Sequence, residues 1–231
     1  MVQRPPVITV DGPSGVGKGT LSRLLARQFG WHLLDSGSLY RLTALAAERD
    51  GIPLDDSPRV AAVAEGLDAC FREDDGEIRI FLKGQDVSDV IRSEACGDAA
   101  SQVAALAAVR TALLQRQRDF RRSPGLVADG RDMGTVVFPD ADIKIFLTAS
   151  AKERAVRRYK QLREKGIDVS LAALAKDIAE RDERDSKRQV SPLKPAPDAE
   201  TLDTTGLDII EVKERALIIV RKRLFKIDVD C

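Results

Sequence analysis

The run Gly12-Pro13-Ser14-Gly15-Val16-Gly17-Lys18-Gly19-Thr20 follows directly on the apolar segment Val7-Ile8-Thr9-Val10. Gly12 stands four residues before the pair Gly17-Lys18, which is the G-x-x-x-x-G-K spacing of a phosphate-cradling P-loop. The setting matches the chemistry. A strand leads in, glycines turn the chain so that successive backbone N–H groups converge, and a helix leads out with the positive end of its dipole toward the loop. Lys18 adds a point charge for the outer phosphates. Such a unit fixes the class of fold, because strands that alternate with helices form a parallel sheet wrapped by helices. Binding of a nucleoside triphosphate follows as the expectation.

One position departs from the pattern. Gly19 stands where a Ser or Thr would ligate magnesium, and Thr20 comes one residue later. The spelling Gly-Lys-Gly-Thr resembles that of the nucleoside monophosphate kinases. It implies magnesium held through phosphates and water, which suits an ion that dehydrates reluctantly.

The rest of the chain continues the alternation. Strands are expected at Val7–Asp11, Trp31–Leu34, Leu126–Asp129, Ile143–Leu147 and Leu202–Thr204. Helices are expected at Lys18–Phe29, where Leu21, Leu24, Leu25 and Phe29 form one stripe and Gly30 is the stop, and at about Ser38–Arg49. Ser57 reads as an N-cap with Pro58 at the first helical position. Helical pattern resumes from Ala99 to about Arg121 with a break near Leu106–Val109, then fills 151–165, 171–188 and Ile209–Phe225. Between them the pattern changes. Asp74-Asp75-Gly76 and Lys83-Gly84-Gln85-Asp86 are turn signals, and Ile78, Ile80 and Leu82 alternate with Arg79, Phe81 and Lys83. Residues 64–100 therefore read as a small insert into a core of 1–63 and 101–231.

Composition removes several classes of function. Lys plus Arg and Asp plus Glu number 37 each among 231 residues, so the basic surplus of polymer-nucleic-acid binders is missing. A hydrophobic share of 43% is that of a globular protein, and no stretch approaches the ~20 apolar residues of a membrane span. The first strand comes too early for a signal peptide. Cys70, Cys96 and Cys231 lack metal-site spacing and read as reduced thiols of a cytoplasmic protein. His32 is the one histidine, which leaves no histidine metal site or Ser-His triad.

Charged residues gather where an open α/β sheet binds its ligands, beyond the carboxyl ends of strands. Ser36 and Arg41 follow the second strand, and Arg41, which taken alone reads first as an ordinary surface arginine, is where a guanidinium would grip a second phosphate. Asp129 ends an apolar strand, with Arg131 and Asp132 just beyond; the stretch reads as a solvated turn rich in charge or, favoured by its place at a strand's carboxyl end, as a Walker-B-like aspartate that orients magnesium. Arg181, Arg184, Asp185 and Arg188 fall at i, i+3, i+4 and i+7, one helical face, with Asp182 and Glu183 offsetting the charge. That face reads either as anion-binding or as a solvated face laced with ion pairs. Arg154, Arg157 and Arg158 open a charged helix that reads either as a lid or as a solvated face.

These residues together resemble the bacterial cytidylate kinases. The resemblance rests on the glycine loop, Leu33-Leu34-Asp35-Ser36-Gly37, Tyr40-Arg41, Asp86-Val87-Ser88, Ile91-Arg92 and Ala100 to Ala104. It rests above all on Gly125 to Lys144 and on Arg181 to Asp185, and it spans nearly the whole chain. It implies an adenylate-kinase-like fold with a lid near 154–166, an insert at 64–100 that binds the monophosphate, and transfer of the ATP γ-phosphate to CMP or dCMP. It implies that Gly12 through Thr20, Arg154 and Arg158 hold ATP, and that magnesium accompanies it near Asp129. Ser36, Arg41, Arg131, Arg181 and Arg188 would hold the CMP phosphate, Asp185 the sugar, and Ser101, Arg110 and Asp132 the cytosine. Lys18, Arg131, Arg181 and Arg188 would be the catalytic set. The base assignment is chemically sound: an arginine donates to O2 and N3 of cytosine, and an aspartate accepts from its amine, whereas uracil reverses the pattern at N3 and position 4. A monomer acting on small molecules in pyrimidine nucleotide metabolism is the family expectation. Three other readings stay open at this point: a UMP kinase, a P-loop switch that signals to a partner, and a nucleotide-binding module without turnover.

Overall fold

A computed structural model describes residues 4–74, 77–164 and 166–224. In chain order the elements begin with β1 (Val7–Asp11), α1 (Lys18–Phe29), β2 (His32–Asp35), α2 (Ser36–Arg49) and α3 (Ser57–Glu65). Then follow β3 (Ala69–Asp74), β4 (Glu77–Leu82), β5 (Gln85–Asp86), α4 (Glu94–Val103) and α5 (Ala107–Arg118). The chain continues with β6 (Leu126–Gly130), a π-helical turn (Met133–Val137), β7 (Ile143–Thr148), α6 (Ala151–Glu164), α7 (Leu171–Lys187), β8 (Glu200–Asp203) and α8 (Ile209–Leu224). They divide into two compact units. One comprises the described residues up to Asp35 and from Arg118 onward, and the other is Ser36–Gln117.

The first unit is built on a five-stranded sheet of order β2-β6-β1-β7-β8 in which each neighbouring pair is parallel. β1 is the central strand and is buried along its whole length. The chain leaves β1 toward β2 and β6 on one side and later returns to β7 on the other. β1 is therefore the switch point of the sheet, where α/β ligands bind. On one face Ile8, Val10, Val127, Ile145 and Leu147 meet Leu21 and Leu25 of α1 and Val212, Ala216 and Val220 of α8. The register places Ile8 opposite both Val127 and Ile143, so these side chains form one layer. This is the P-loop α/β architecture that the alternation of strands and helices predicts.

The second unit contains a hairpin and helices. β3, β4 and β5 form an antiparallel sheet, and Lys83 and Gly84 turn β4 into β5 with φ of 49° and 77°, the paired positive values of a type I′ turn. α2 packs against α3 and α4. The hairpin thus lies inside a unit wider than the 64–100 segment that the change of pattern delimits.

Several local expectations shift. Asp56, not Ser57, caps α3: its Oδ1 accepts the Arg59 N–H at 3.2 Å, and Ser57 and Pro58 are the first two helical residues. α2 starts at Ser36 rather than Ser38. α4 starts at Glu94 rather than Ala99, because Ser93 caps it by accepting the Cys96 N–H at 3.2 Å. Arg188 is not helical. It ends α7 at φ −55° and ψ 134°, so it leaves the shared face on which helical spacing puts it. His32 is exposed and its Nε2 lies 2.9 Å from the Ser123 carbonyl. Cys70 and Cys96 are free thiols. The turn at Asp75-Gly76, the end of the closing helix at Phe225, and Cys231 lie outside the described residues. Among the described residues no helix is long and apolar enough to cross a membrane.

Candidate active site

The glycine loop joins β1 to α1 in the geometry its spelling requires. Gly12 has φ 148°, and a Cβ there would lie 2.3 Å from the Leu147 carbonyl oxygen, so only glycine lets the loop pass β7. Gly17 precedes α1 at φ 97° and offers no side-chain cap, which leaves the first amides of α1 directed into the loop. Lys18 is buried, and its Nζ donates to the Pro13 carbonyl at 2.7 Å across the loop. Among the described residues the Ser14 hydroxyl is buried without a partner.

Around Lys18 the first unit gathers charges from three further segments. Asp129 at the end of β6, Arg131 just beyond it, and Arg181 and Asp185 on α7 all act electrostatically on Lys18. Burial lowers the Lys18 ammonium, with Arg131 adding to the effect, and raises the Asp129 carboxyl against the pull of Lys18. Asp185 grips Arg131 Nε at 2.8 Å and has Arg188 Nη1 at 4.0 Å. Burial would raise the Asp185 carboxyl, but Arg131 and then Arg188 outweigh it and hold it below the ordinary carboxylate value. Asp185 therefore aims two of the arginines expected to meet phosphate.

The acidic neighbours on α7 are engaged one by one. Asp182 takes both Nη atoms of Arg154, at 3.0 and 2.5 Å, while Arg154 Nη1 also donates to the Ser14 carbonyl of the loop at 3.1 Å. Glu183 pairs with Lys187 at the surface. Arg157 is a strut: it donates to the Thr204 carbonyl and hydroxyl, at 2.6 and 3.0 Å, and to Glu153. Arg158 reaches Gln161 at 3.2 Å. The base of α6 is thus tied to the glycine loop and to the end of β8.

Four further expected residues, Ser36, Arg41, Ser101 and Arg110, belong to the second unit, whereas Asp132 lies in the first, two residues past Gly130 of β6. Ser36 is buried at the start of α2. Arg41 donates to the carbonyls of Ile91 and Ser93, which fixes its guanidinium to the loop before α4. Arg110 of α5 is buried, donates to the Ala104 carbonyl at 3.1 Å and lies over the Tyr40 ring at 5.6 Å. The Ser101 hydroxyl on α4 is buried with no partner among the described residues. Tyr40, Thr204 and Asp11 are contributors to which the motifs assign no role. Asp11 carried a signal, a carboxylate at the end of an otherwise apolar strand; Thr204 carried none.

Residues 8–222 match the model of the cytidylate kinase family. The chain belongs to that family. It is 59% identical over 226 residues to the cytidylate kinase of Stutzerimonas stutzeri, covering 96% of this chain and 98% of the relative. It is 61% identical over 211 residues to that of Pseudomonas aeruginosa, covering 90% and 92%, and 58% identical to that of Shewanella denitrificans, covering 94% and 96%. The cytidylate kinase family is one of nucleoside monophosphate kinases, so the buried Lys18 loop belongs to a transferase. The switch and non-catalytic readings fall away.

Proposed function

We propose that the chain transfers the γ-phosphoryl group of ATP to CMP and dCMP, giving CDP and dCDP. The observation that carries the reading is the set Asp129, Arg131, Arg181 and Asp185, all acting electrostatically on Lys18 of the glycine loop, with Arg131 Nε held on Asp185 Oδ2 at 2.8 Å. Such a set serves anionic substrates, and membership of the family supplies the acceptor.

Each group has a role. The amides of Gly12 through Thr20 and Lys18 hold the ATP phosphates, with Arg154 and Arg158 beside them; the Arg154 contact with the Ser14 carbonyl supports its place in this set. Ser36, Arg41, Arg131, Arg181 and Arg188 hold the CMP phosphate, and Asp185 meets the sugar. Ser101, Arg110 and Asp132 read cytosine; the unpartnered Ser101 hydroxyl is what a base-reading group looks like before its partner is counted. No general base is required, because the attacking phosphate oxygen is largely deprotonated at pH 7, its second pKa being about 6. A CMP phosphate oxygen bonds to the γ-phosphorus, the bond to the β,γ-bridging oxygen breaks, and ADP keeps that electron pair. Lys18, Arg131, Arg181 and Arg188 stabilise the equatorial oxygens as charge develops.

The residues fit a magnesium ion carried by ATP. Asp129 supplies a hard carboxylate, Asp35 stands beside it in register, and a Cβ at Gly19 would lie 3.3 Å from Asp129 Oδ2, so glycine there leaves space at that oxygen. When bound, the ion would neutralise phosphate charge. Residues 64–100 serve as the monophosphate-binding insert and 154–166 as the lid, whose closure excludes water. A monomeric, cytoplasmic enzyme that binds neither membrane nor nucleic acid polymer completes the reading.

An ADP-release assay across CMP, dCMP and UMP tests it. CMP and dCMP should support turnover at least tenfold more efficient than UMP, and a preference for UMP would overturn the base assignment. Arg181→Ala should lower kcat more than it raises the CMP KM. A change confined to CMP affinity would remove Arg181 from the transferring phosphoryl.

A further inference from the structure

The segment that carries Arg131 and Asp132 leaves β6 and closes as the π-helical turn Met133–Val137 against β1. It meets the face of β1 on which Thr9 and Asp11 stand, opposite the face of Ile8 and Val10. Two constraints hold it there. Asp11 Oδ1 accepts the Met133 N–H at 2.8 Å, and Oδ2 accepts the Gly134 N–H at 2.8 Å. Gly134 then sits so close that a Cβ would lie 2.9 Å from Thr9 Oγ1, 3.1 Å from Lys144 Cδ and 3.3 Å from Asp11 Oδ2. One constraint is an attraction and the other a clearance, and they come from different residues. The same turn fixes Asp132 from its other side, since the Asp132 carbonyl accepts Val136 and Val137 N–H at 2.9 and 3.2 Å. A buried carboxylate is an expensive way to finish an apolar strand, unless what it holds matters.

We infer that Asp11 and Gly134 are positioning residues that set the main chain of Asp132, and that through it they decide between cytosine and uracil in the acceptor. The inference rests on the reading of Asp132 as a base-contacting residue. Asp11 acts through the amides of Met133 and Gly134, and Gly134 acts by leaving room. Because Asp11 is the residue before Gly12, the donor loop and Asp132 share one root. Displacement of a contact group by about 1 Å is enough to cost some hundredfold in rate.

The test compares kcat/KM for CMP with that for UMP, alongside the Kd of a fluorescent ATP analogue measured without acceptor. Asp11→Asn keeps one acceptor and turns an N–H toward an N–H. Gly134→Ala pushes the turn away from β1. Each should lower the CMP-to-UMP ratio at least tenfold, chiefly through the CMP KM, with donor Kd within threefold. Thr9→Ala added to Gly134→Ala removes the nearest clash and should recover part of the ratio. Should Asp11→Asn fail to fold, Gly134→Ala with its second-site partner decides alone. Asp132→Asn is the control. If it loses the ratio while Asp11→Asn and Gly134→Ala keep theirs within twofold of the unmodified chain, the positioning role is wrong. If Asp132→Asn itself keeps the ratio, the base reading falls and takes the inference with it.

Discussion

The two faces of β1 are equally buried and made of opposite material. Ile8 and Val10 are 0% exposed on one, while Thr9 is 0% and Asp11 5% exposed on the other. The apolar face meets α1 and α8 in a layer that any well-packed side chains would satisfy. The polar face meets main-chain amides and a glycine, a surface that only a matching acceptor satisfies. Burial is the same, yet one face stabilises the sheet and the other aims the residues beyond β6. Changes on the first face should therefore be read in stability alone, whereas changes on the second, whatever they do to stability, should also alter how the acceptor is handled.

Ile8→Ala should break the apolar layer at its centre and cost about 2–5 kcal/mol in a denaturant melt. The CMP-to-UMP ratio should stay unchanged; a ratio that moved with stability would erase the contrast between the faces. The next effect is one of pH. Burial raises the Asp11 carboxyl from 3.8 to about 6, against the hydrogen bonds from Gly134 and Met133, with Asp132 raising it further and Lys18 lowering it. A raised carboxyl contributes stability that is complete below its unfolded value and lost as pH climbs through its folded value. The stability of the unmodified chain relative to Asp11→Asn should thus fall by roughly 2 kcal/mol between pH 4 and pH 7. Parallel profiles for the two chains would show that Asp11 does not titrate there. The smallest effect belongs to Thr9, whose hydroxyl is buried with no partner among the described residues. Thr9→Val should stabilise the chain by about 1 kcal/mol, since it removes an unsatisfied polar atom. A loss instead would reveal a hydrogen bond from Thr9 to water.

The same divide separates what the residues announced from what they hid. The glycine loop, β1 and α1 were legible because spacing, apolar run and helical stripe are local properties of adjacent residues. β6 and β7 were legible as apolar runs bounded by turns. β3 was not singled out, because Arg72 and Glu73 interrupt the alternation that marked β4. Ser57 was an adequate cap in sequence, and Asp56 won the role by one residue because its carboxylate reaches the Arg59 amide. Helical spacing put Arg188 with Arg181 and Arg184, but α7 stops at Lys187. Arg154 was legible as a cation near the donor site, whereas its bidentate grip on Asp182 required two helices to be packed together.

The sequence alone determined the class of fold, the donor loop and the family, because each is written in neighbouring residues or in runs long enough to be unmistakable. Only the tertiary structure decided which carboxylate holds which group: Asp185 for Arg131, Asp182 for Arg154, Asp11 for the amides of Met133 and Gly134. Those pairings join residues far apart in the chain. They exist only once the parallel sheet brings the strand ends side by side, since a charge chooses its partner by distance in space and by the water it has lost.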